Sequence, residues 1–301
     1  MDTRMVTTHT PSSLIGRVAV VTVSYGSEKV LGPFLASLEQ GTNLSPQVIV
    51  VDNKSAGTGD EVAIITTAAG AEYLPLATNR GYGHAVNEAV RNLSPQVDWV
   101  VISNPDVTVN PGSIDLLLAT ADADATIAAV GPCILTADGQ VYPSARSIPS
   151  LRSGIGHAIF ANLWPSNPWS RRYRKANDVH LSQRDAGWLS GAFLVVRRSV
   201  FDELAGFDES YFMYFEDVDL GYRIGKLGLR NVYQPNAAVV HTGAHSTSTK
   251  DESARMIRAH HKSAQKFLSK KYSGPFFVPV RVALAIGLGI RSQLEAIRTK
   301  R

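Results

Sequence analysis

Arg17-Val-Ala-Val-Val-Thr-Val-Ser24 and, further along, Gln47-Val-Ile-Val-Val-Asp52 are short runs of Val and Ile that close in polar residues. Apolar runs without polar alternation suit strands buried on both faces. Ala71 to Pro75 and Asp98 to Ser103 repeat the pattern. Between them Val30, Leu31, Phe34, Leu35 and Leu38, and then Ala85, Val86, Ala89, Val90 and Leu93, recur at helical spacing. The alternation predicts an α/β fold, a mixed, mostly parallel, Rossmann-like sheet with crossover helices. After a less regular middle, Trp188 to Arg197 and Asn231 to Val240 read as two further strands, and no internal repeat is visible.

In an open α/β sheet, ligands bind beyond the carboxyl ends of the strands. The residues there are Ser24-Tyr25-Gly26, Asp52-Asn53-Lys54-Ser55 and Ser103-Asn104-Pro105-Asp106. Any one of these could merely terminate a strand. Three together, two of them with an acid, point to a ligand site. Asn79-Arg80-Gly81-Tyr82-Gly83 opens the next helix, with glycines that would let backbone amides approach a phosphate or sugar closely. It is not the dinucleotide fingerprint, because Val86 occupies the third glycine position. A plain turn and helix cap is the alternative reading.

Tyr211-Phe-Met-Tyr-Phe-Glu216-Asp217-Val-Asp219-Leu-Gly-Tyr-Arg223 sets three carboxylates behind aromatic residues. Phe215, Val218 and Tyr222 fall at helical spacing, so the acids occupy a first turn, where the helix dipole favours their ionised form. A carboxylate kept ionised can serve as a base. The bland reading is an acidic cap, with Asp219 paired to Arg223 one turn on.

At 301 residues, 44% hydrophobic and 19% charged, the chain can bury a full core. The single cysteine, Cys133, allows no disulfide within the chain and no zinc cluster, which fits a reducing compartment. Residues 1–15 lack the apolar block of a signal peptide and read as a flexible start. The net charge of +4 is uneven: residues 250–301 carry 12 Lys and Arg against 3 Asp and Glu, and the rest carries 18 against 23. That asymmetry argues against a general nucleic-acid coat and for a local contact with anionic phosphates.

Moving a sugar from a nucleoside diphosphate needs a base reader, a cation for the leaving diphosphate and a base for the acceptor hydroxyl. Asp52 could accept the imide N–H of uracil or thymine. Asp106 could ligate Mg²⁺ or Mn²⁺ with His241, which closes the last strand, and more weakly with His245. Asp217, or Glu216 beside it, could take the acceptor proton in a single in-line displacement. A nucleotidyltransferase would want a basic residue after strand one, where Glu28 stands. A glycosidase would use paired acids but no base-reading Asp52. A carbohydrate or lipid-carrier binding module without turnover is the non-enzymatic alternative.

Taken in order, Val21-Thr22-Val23-Ser24-Tyr25, Val50 to Ser55, Asn79 to Gly83, Asn104-Pro105-Asp106, Gly191-Ala192 and Glu216-Asp217 resemble glycosyltransferase family 2. The resemblance covers roughly residues 16–247 and implies the GT-A fold, an inverting mechanism and a nucleotide-sugar donor. It implies that Thr22, Ser24, Tyr25, Asp52, Asn79, Arg80, Gly81, Gly83, Asn104 and Asp106 hold the donor, and that Asp106 and His241 hold the metal. Asp217 looks like the catalytic base, with Glu216 its partner. The metal-binding triplet lacks its first acid, a form associated with the rhamnosyltransferase branch. More narrowly the chain is similar to actinobacterial rhamnosyltransferases, which implies a dTDP-rhamnose donor and an N-acetylglucosaminyl-diphospho-decaprenol acceptor. Trp188, Gly191, Ala192, Arg171, Arg172 and Arg174 are then the acceptor-binding residues. Trp164, Trp169, Tyr173 and Lys175 add aromatics and charge to the same basic stretch.

The organisation expected is a flexible start at 1–15, a GT-A domain at 16–250 and a basic amphipathic tail at 251–301. Phe276 to Ile290 is apolar but short, interrupted by Pro279 and Arg281. With Lys262, Lys266, Lys270 and Lys271 before it and Arg291, Arg298, Lys300 and Arg301 after, it reads as an in-plane anchor on the inner, anionic leaflet of the plasma membrane. A buried helix or a homodimer contact is the alternative.

Overall fold

All seven residues of β1 (Val18–Ser24) are buried, and their side chains alternate between two cores. Val18 and Val20 face one side with Phe34 and Leu38, while Ala19 and Val21 face the other with Ala85 and Ala89. This period of two, buried both ways, makes the sheet the middle of three layers. The computed structural model describes residues 16–54, 60–150, 182–243, 250–287 and 289.

The elements after β1 are α1 (Glu28–Gly41), β2 (Gln47–Asp52), α2 (Glu61–Ala68), β3 (Glu72–Pro75), α3 (Tyr82–Arg91), β4 (Trp99–Ser103) and β5 (Val107–Val109). Next come α4 (Ser113–Asp122), β6 (Ile127–Leu135), β7 (Val141–Tyr142) and β8 (Ala145–Arg146). Beyond these lie β9 (Arg184–Ala186), β10 (Trp188–Leu189), β11 (Phe193–Arg197), α5 (Arg198–Glu203), α6 (Glu216–Lys226), β12 (Arg230–His241) and α7 (Lys250–Lys271). The main sheet runs β3-β2-β1-β4-β11-β6-β12-β5, with β7 paired to β6 and β9 to β12. Strands β3, β2, β1 and β4 are parallel, and β11 is inserted antiparallel between β4 and β6. Helices α1, α2 and α4 cover one face, and α3, α5 and α6 the other.

The run Trp188 to Arg197, read above as one strand, is two. Ser190 donates its N–H to Ser144 and the chain turns at Gly191 and Ala192, so β10 pairs with β8 in a separate ribbon while β11 joins the main sheet. Strand β12 slips register between Gln234 and Ala238, where Pro235 lacks the N–H a ladder needs.

Helix α7, read from sequence as a basic tail, is seated on the body. Phe267 is fully buried against Tyr211 and Val218, with ring contacts to Phe215 and Tyr222 at 5.8 and 5.7 Å. Lys270 bonds Asp208 at 2.9 Å and the buried Asp219 at 2.7 Å, while Lys266 and Lys271 donate to the carbonyls of Ser210 and Pro149. Three of the four lysines before the apolar segment, assigned above to a leaflet contact, are therefore engaged with protein. Beyond α7, residues 278–287 are helical, and Arg281 turns back onto the Tyr272 and Gly274 carbonyls. Phe276, Val278, Val282 and Ile286 are left exposed, the last three on one helical face. No helix among the described residues is long and apolar enough to cross a membrane.

Truncating Phe267 leaves a cavity under α6. Phe267→Ala is expected to cost about 3–5 kcal/mol in urea unfolding, and a loss under 1 kcal/mol would mean that α7 is not part of the folded body.

Candidate active site

The carboxyl ends of β1, β2 and β4 lie side by side, because Ser24 is in register with Asp52 and Thr22 with Ser103. Thr22 Oγ1 and Ser24 Oγ are buried there without a hydrogen-bond partner among the described residues. Asp52 is buried, and its carboxylate accepts the Tyr73 hydroxyl at 3.0 Å and the Lys54 N–H at 3.1 Å. Tyr73, which the sequence reading passed over, thus fixes the orientation of Asp52. Asn53 donates to Asn79 Oδ1 at 3.0 Å, and the same oxygen accepts the Gly81 N–H at 2.9 Å, tying the β2 end to the start of α3. Tyr25 stands exposed at the rim, its surface 64% accessible.

Asp106 and His241 meet because β12 pairs with β5, His241 opposite Val107. His241 Nε2 lies 3.1 Å from Asp106 Oδ1 and 3.3 Å from Asn104 Nδ2, and the Asn104 N–H bonds the Ala192 carbonyl at 2.9 Å. Two ligands at right angles on bonds of about 2.1 Å sit about 3 Å apart, so this oxygen and nitrogen are spaced to share one hard divalent ion. No group of three His, Cys, Asp or Glu that could hold a metal ion occurs among the described residues. A metal here would need ligands from substrate.

Glu216 and Asp217 open α6, and both Tyr214 and Phe215 before them are left-handed, at φ 66° and 68°. Asp217 Oδ2 accepts the Gly191 N–H at 3.0 Å and Oδ1 accepts the Val218 N–H at 2.7 Å. The break between β10 and β11 is what frees Gly191 for this bond, and a side chain at Gly191 would begin 3.4 Å from Asp217 Cβ. Tyr82 stands half-buried among these acids; its hydroxyl donates to the Gly191 carbonyl at 3.1 Å. Burial first, and then Glu216, Asp217 and Asp106, push the Tyr82 phenol well above its ordinary value, so it stays a donor. Tyr82 was another residue missed, although it lies inside a quoted motif.

The two acids differ. Burial, and after it the Asp217 charge, pushes Glu216 up to about 8, and its Oε2 has no partner among the described residues. Burial also raises Asp217, but bonds from the Gly191 and Val218 amides pull it back. Asp217 therefore ionises first and Glu216 keeps its proton at neutral pH, against the expectation that the helix dipole would hold the whole cluster ionised. Asp219 takes the bland reading: fully buried, it bonds Arg223 at 2.6 Å and Lys270 at 2.7 Å and serves packing.

The glycines at 81 and 83 have a packing role within the protein. A side chain at Gly81, φ 106°, would collide with the Phe212 carbonyl, and one at Gly83 would meet Phe207 Cβ at 2.9 Å. The close approach they permit is that of the 207–216 segment. Arg80 is exposed and pairs with Glu209 at 3.2 Å, a carboxylate also bonded by Asn87 and Arg91 and 2.9 Å from His84 Nδ1. Trp188 packs against α6 at Gly221, one turn on from Asp217, and the Ala192 carbonyl accepts the Asn104 N–H. Arg171, Arg172, Arg174, Trp164, Trp169, Tyr173, Lys175, Ser55 and His245 lie outside the described residues.

A buried acid, an Asp–His pair and an amide-held carboxylate thus gather at the strand ends, where an open α/β sheet binds its ligands. The glycosyltransferase-like family 2 matches residues 16–261, and the chain belongs to that family, an enzyme class of glycosyltransferases. It is 44% identical over 284 residues, 91% of each chain, to an N-acetylglucosaminyl-diphospho-decaprenol L-rhamnosyltransferase of Mycobacterium tuberculosis. It is 26% identical over 262 residues to the rhamnosyltransferase WbbL of Escherichia coli, covering 84% of this chain and 93% of that one. Among solved structures, a mannosyltransferase of Pyrobaculum calidifontis in complex with GDP-Man and Mn²⁺ shares the fold, with a TM-score of 0.56 at 16% identity over 94% of this chain and 72% of that one. The family match runs past residue 250 into α7, in keeping with the burial of Phe267.

Below about pH 4.5 Glu216 is protonated both folded and unfolded; above it the unfolded chain releases the proton while the folded one holds it up to about 8. Stability therefore falls as pH rises through that window. Glu216→Gln is expected to flatten this decline when urea unfolding is compared at pH 5 and pH 8. An unchanged slope would contradict burial of the protonated acid.

Proposed function

We propose that the protein transfers L-rhamnose from dTDP-rhamnose to N-acetylglucosaminyl-diphospho-decaprenol at the inner face of the plasma membrane, in building the cell-wall linker of arabinogalactan. The observation that carries this reading is Asp217, held on the Gly191 amide beside Tyr82 in a chain 44% identical to a relative of that name.

In this reading Asp52 accepts the imide N–H of the pyrimidine while Tyr73 keeps its carboxylate turned. Exposed Tyr25 offers a ring on which the base stacks. The unpartnered hydroxyls of Thr22 and Ser24 line the same strand ends. Asp106 and His241 would hold a divalent cation, Mg²⁺ or Mn²⁺, which when bound offsets charge on the leaving diphosphate. Asp217 takes the proton of the acceptor hydroxyl as that oxygen bonds to the anomeric carbon. The bond from that carbon to the diphosphate breaks, its electron pair leaves with the phosphate, and the configuration inverts. Neutral Glu216 adds no second negative charge beside the base.

The test is acceptor-dependent release of free nucleoside diphosphate, from dTDP-rhamnose and separately from UDP-sugars, with Mg²⁺ or Mn²⁺. Release of dTDP only with the lipid-linked acceptor is the expected result; release from a UDP-sugar alone would overturn the donor assignment. Asp217→Asn should cut turnover about 10²–10⁴-fold while donor binding persists, and unchanged turnover would remove Asp217 from the chemistry.

The stripe of Val278, Val282 and Ile286, with exposed Phe276 before it, supports a peripheral membrane contact, and Phe276, Val282 and Ile286 test it. Replacing the three with Ser should lower recovery on anionic vesicles about tenfold or more. Undiminished sedimentation, together with loss of a dimer in light scattering, would assign the stripe to a homodimer instead.

A further inference from the structure

The ribbon of β8 and β10 carries a cation that neither the packing nor the proposed reaction has used. Arg146 stands opposite Trp188 across the ribbon. Its guanidinium lies 5.4 Å from the centre of the Tyr142 ring and 5.8 Å from that of Trp188, and its Nε donates to the Pro143 carbonyl at 2.7 Å. Its two terminal nitrogens have no hydrogen-bond partner among the described residues, whereas Arg223 and Arg230 spend theirs on carboxylates and carbonyls. An arginine half-buried between two rings, with its fork left open, is prepared for an anion.

The position says which anion. The ribbon continues into Gly191, whose amide holds Asp217, and the Arg146 charge reaches that carboxylate. Whatever approaches Asp217 from this side is the acceptor, because the donor's diphosphate belongs at Asp106, at the end of β4. We infer that Arg146 is a phosphate-binding residue of the acceptor subsite, its open fork gripping the diphosphate of the lipid-linked sugar whose hydroxyl faces Asp217.

The chemistry fits. A guanidinium presents parallel N–H donors that match phosphate oxygens in pairs, and stacking on Tyr142 and Trp188 fixes its plane beforehand. A bare cation beside a general base is a liability, since it favours the ionised carboxylate and weakens its pull on a proton. A bound phosphate cancels that effect, so the base gains strength when the correct acceptor is in place. This inference rests on the proposed reaction.

The experiment compares two acceptors, a short-chain prenyl-diphospho-N-acetylglucosamine and an alkyl N-acetylglucosaminide of matched length without phosphate. Wild-type protein should prefer the diphosphate acceptor in kcat/KM, and Arg146→Ala should reduce that preference about tenfold or more. The loss should reside in the acceptor KM, with Arg146→Lys, which keeps charge but not the fork, falling between. Donor affinity from fluorescence quenching reports folding and should stay within about twofold, as expected of a residue that stands apart from the donor's end of the site. Equal losses on both acceptors, or weakened donor affinity, would overturn the inference while leaving the reaction intact. No transfer by wild type to either acceptor would overturn the proposed function and the inference with it.

Discussion

Tyr214 and Phe215 enter α6 with φ of 66° and 68°, a conformation that costs a non-glycine residue about 1–3 kcal/mol. Two such residues in succession persist only where the surroundings hold them. Here α7 does so: His260 packs its ring against both at 5.6 and 5.3 Å, Ser263 bonds the Met213 carbonyl at 2.8 Å, and Phe267 closes the space beneath. From the other side Gly81 and Gly83 let the same segment lie against α3, where the Tyr82 N–H bonds the Phe212 carbonyl at 3.0 Å. The result is a helix whose first turn points Asp217 at the Gly191 amide rather than at solvent.

Once that turn is fixed, the electrostatics follow. Two adjacent carboxylates in a buried first turn cannot both ionise cheaply, and the amides of Gly191 and Val218 decide which one does. Glu216, with an unpartnered oxygen, keeps the proton. Asp219, two residues on, would add a third charge, but Arg223 and Lys270 neutralise it inside the protein. The proposed base is thus the single uncompensated charge of its turn, with Glu216 protonated and Asp219 salt-bridged.

Much of this was legible in the sequence, and what was not has physical reasons. The strand runs and helix spacings specified the parallel half of the sheet, because burial on both faces leaves no choice but Val and Ile. That Asp52, Asn104, Asp106 and His241 come near one another was legible because each follows or closes a strand at the same end of the sheet. The break at Gly191 was hidden, since Gly and Ala inside an apolar run look like continuing strand until a partner for the Gly191 amide is known. The seating of α7 was hidden too. Phe267 is a lone aromatic in a lysine-rich helix, and lysines that bond carbonyls look the same in sequence as lysines that meet lipid. The glycines at 81 and 83 were seen, but sequence does not say whether the space they leave receives a ligand or a neighbouring loop.

In the proposed reaction one carboxylate, Asp217, acts as base in one displacement. The anomeric configuration of the transferred sugar, read by NMR of the product, tests this most directly. A linkage opposite in configuration to the donor's is the predicted result. Retention would require a second, nucleophilic step, and would contradict a site in which Glu216 stays protonated and Asp217 alone receives the acceptor proton.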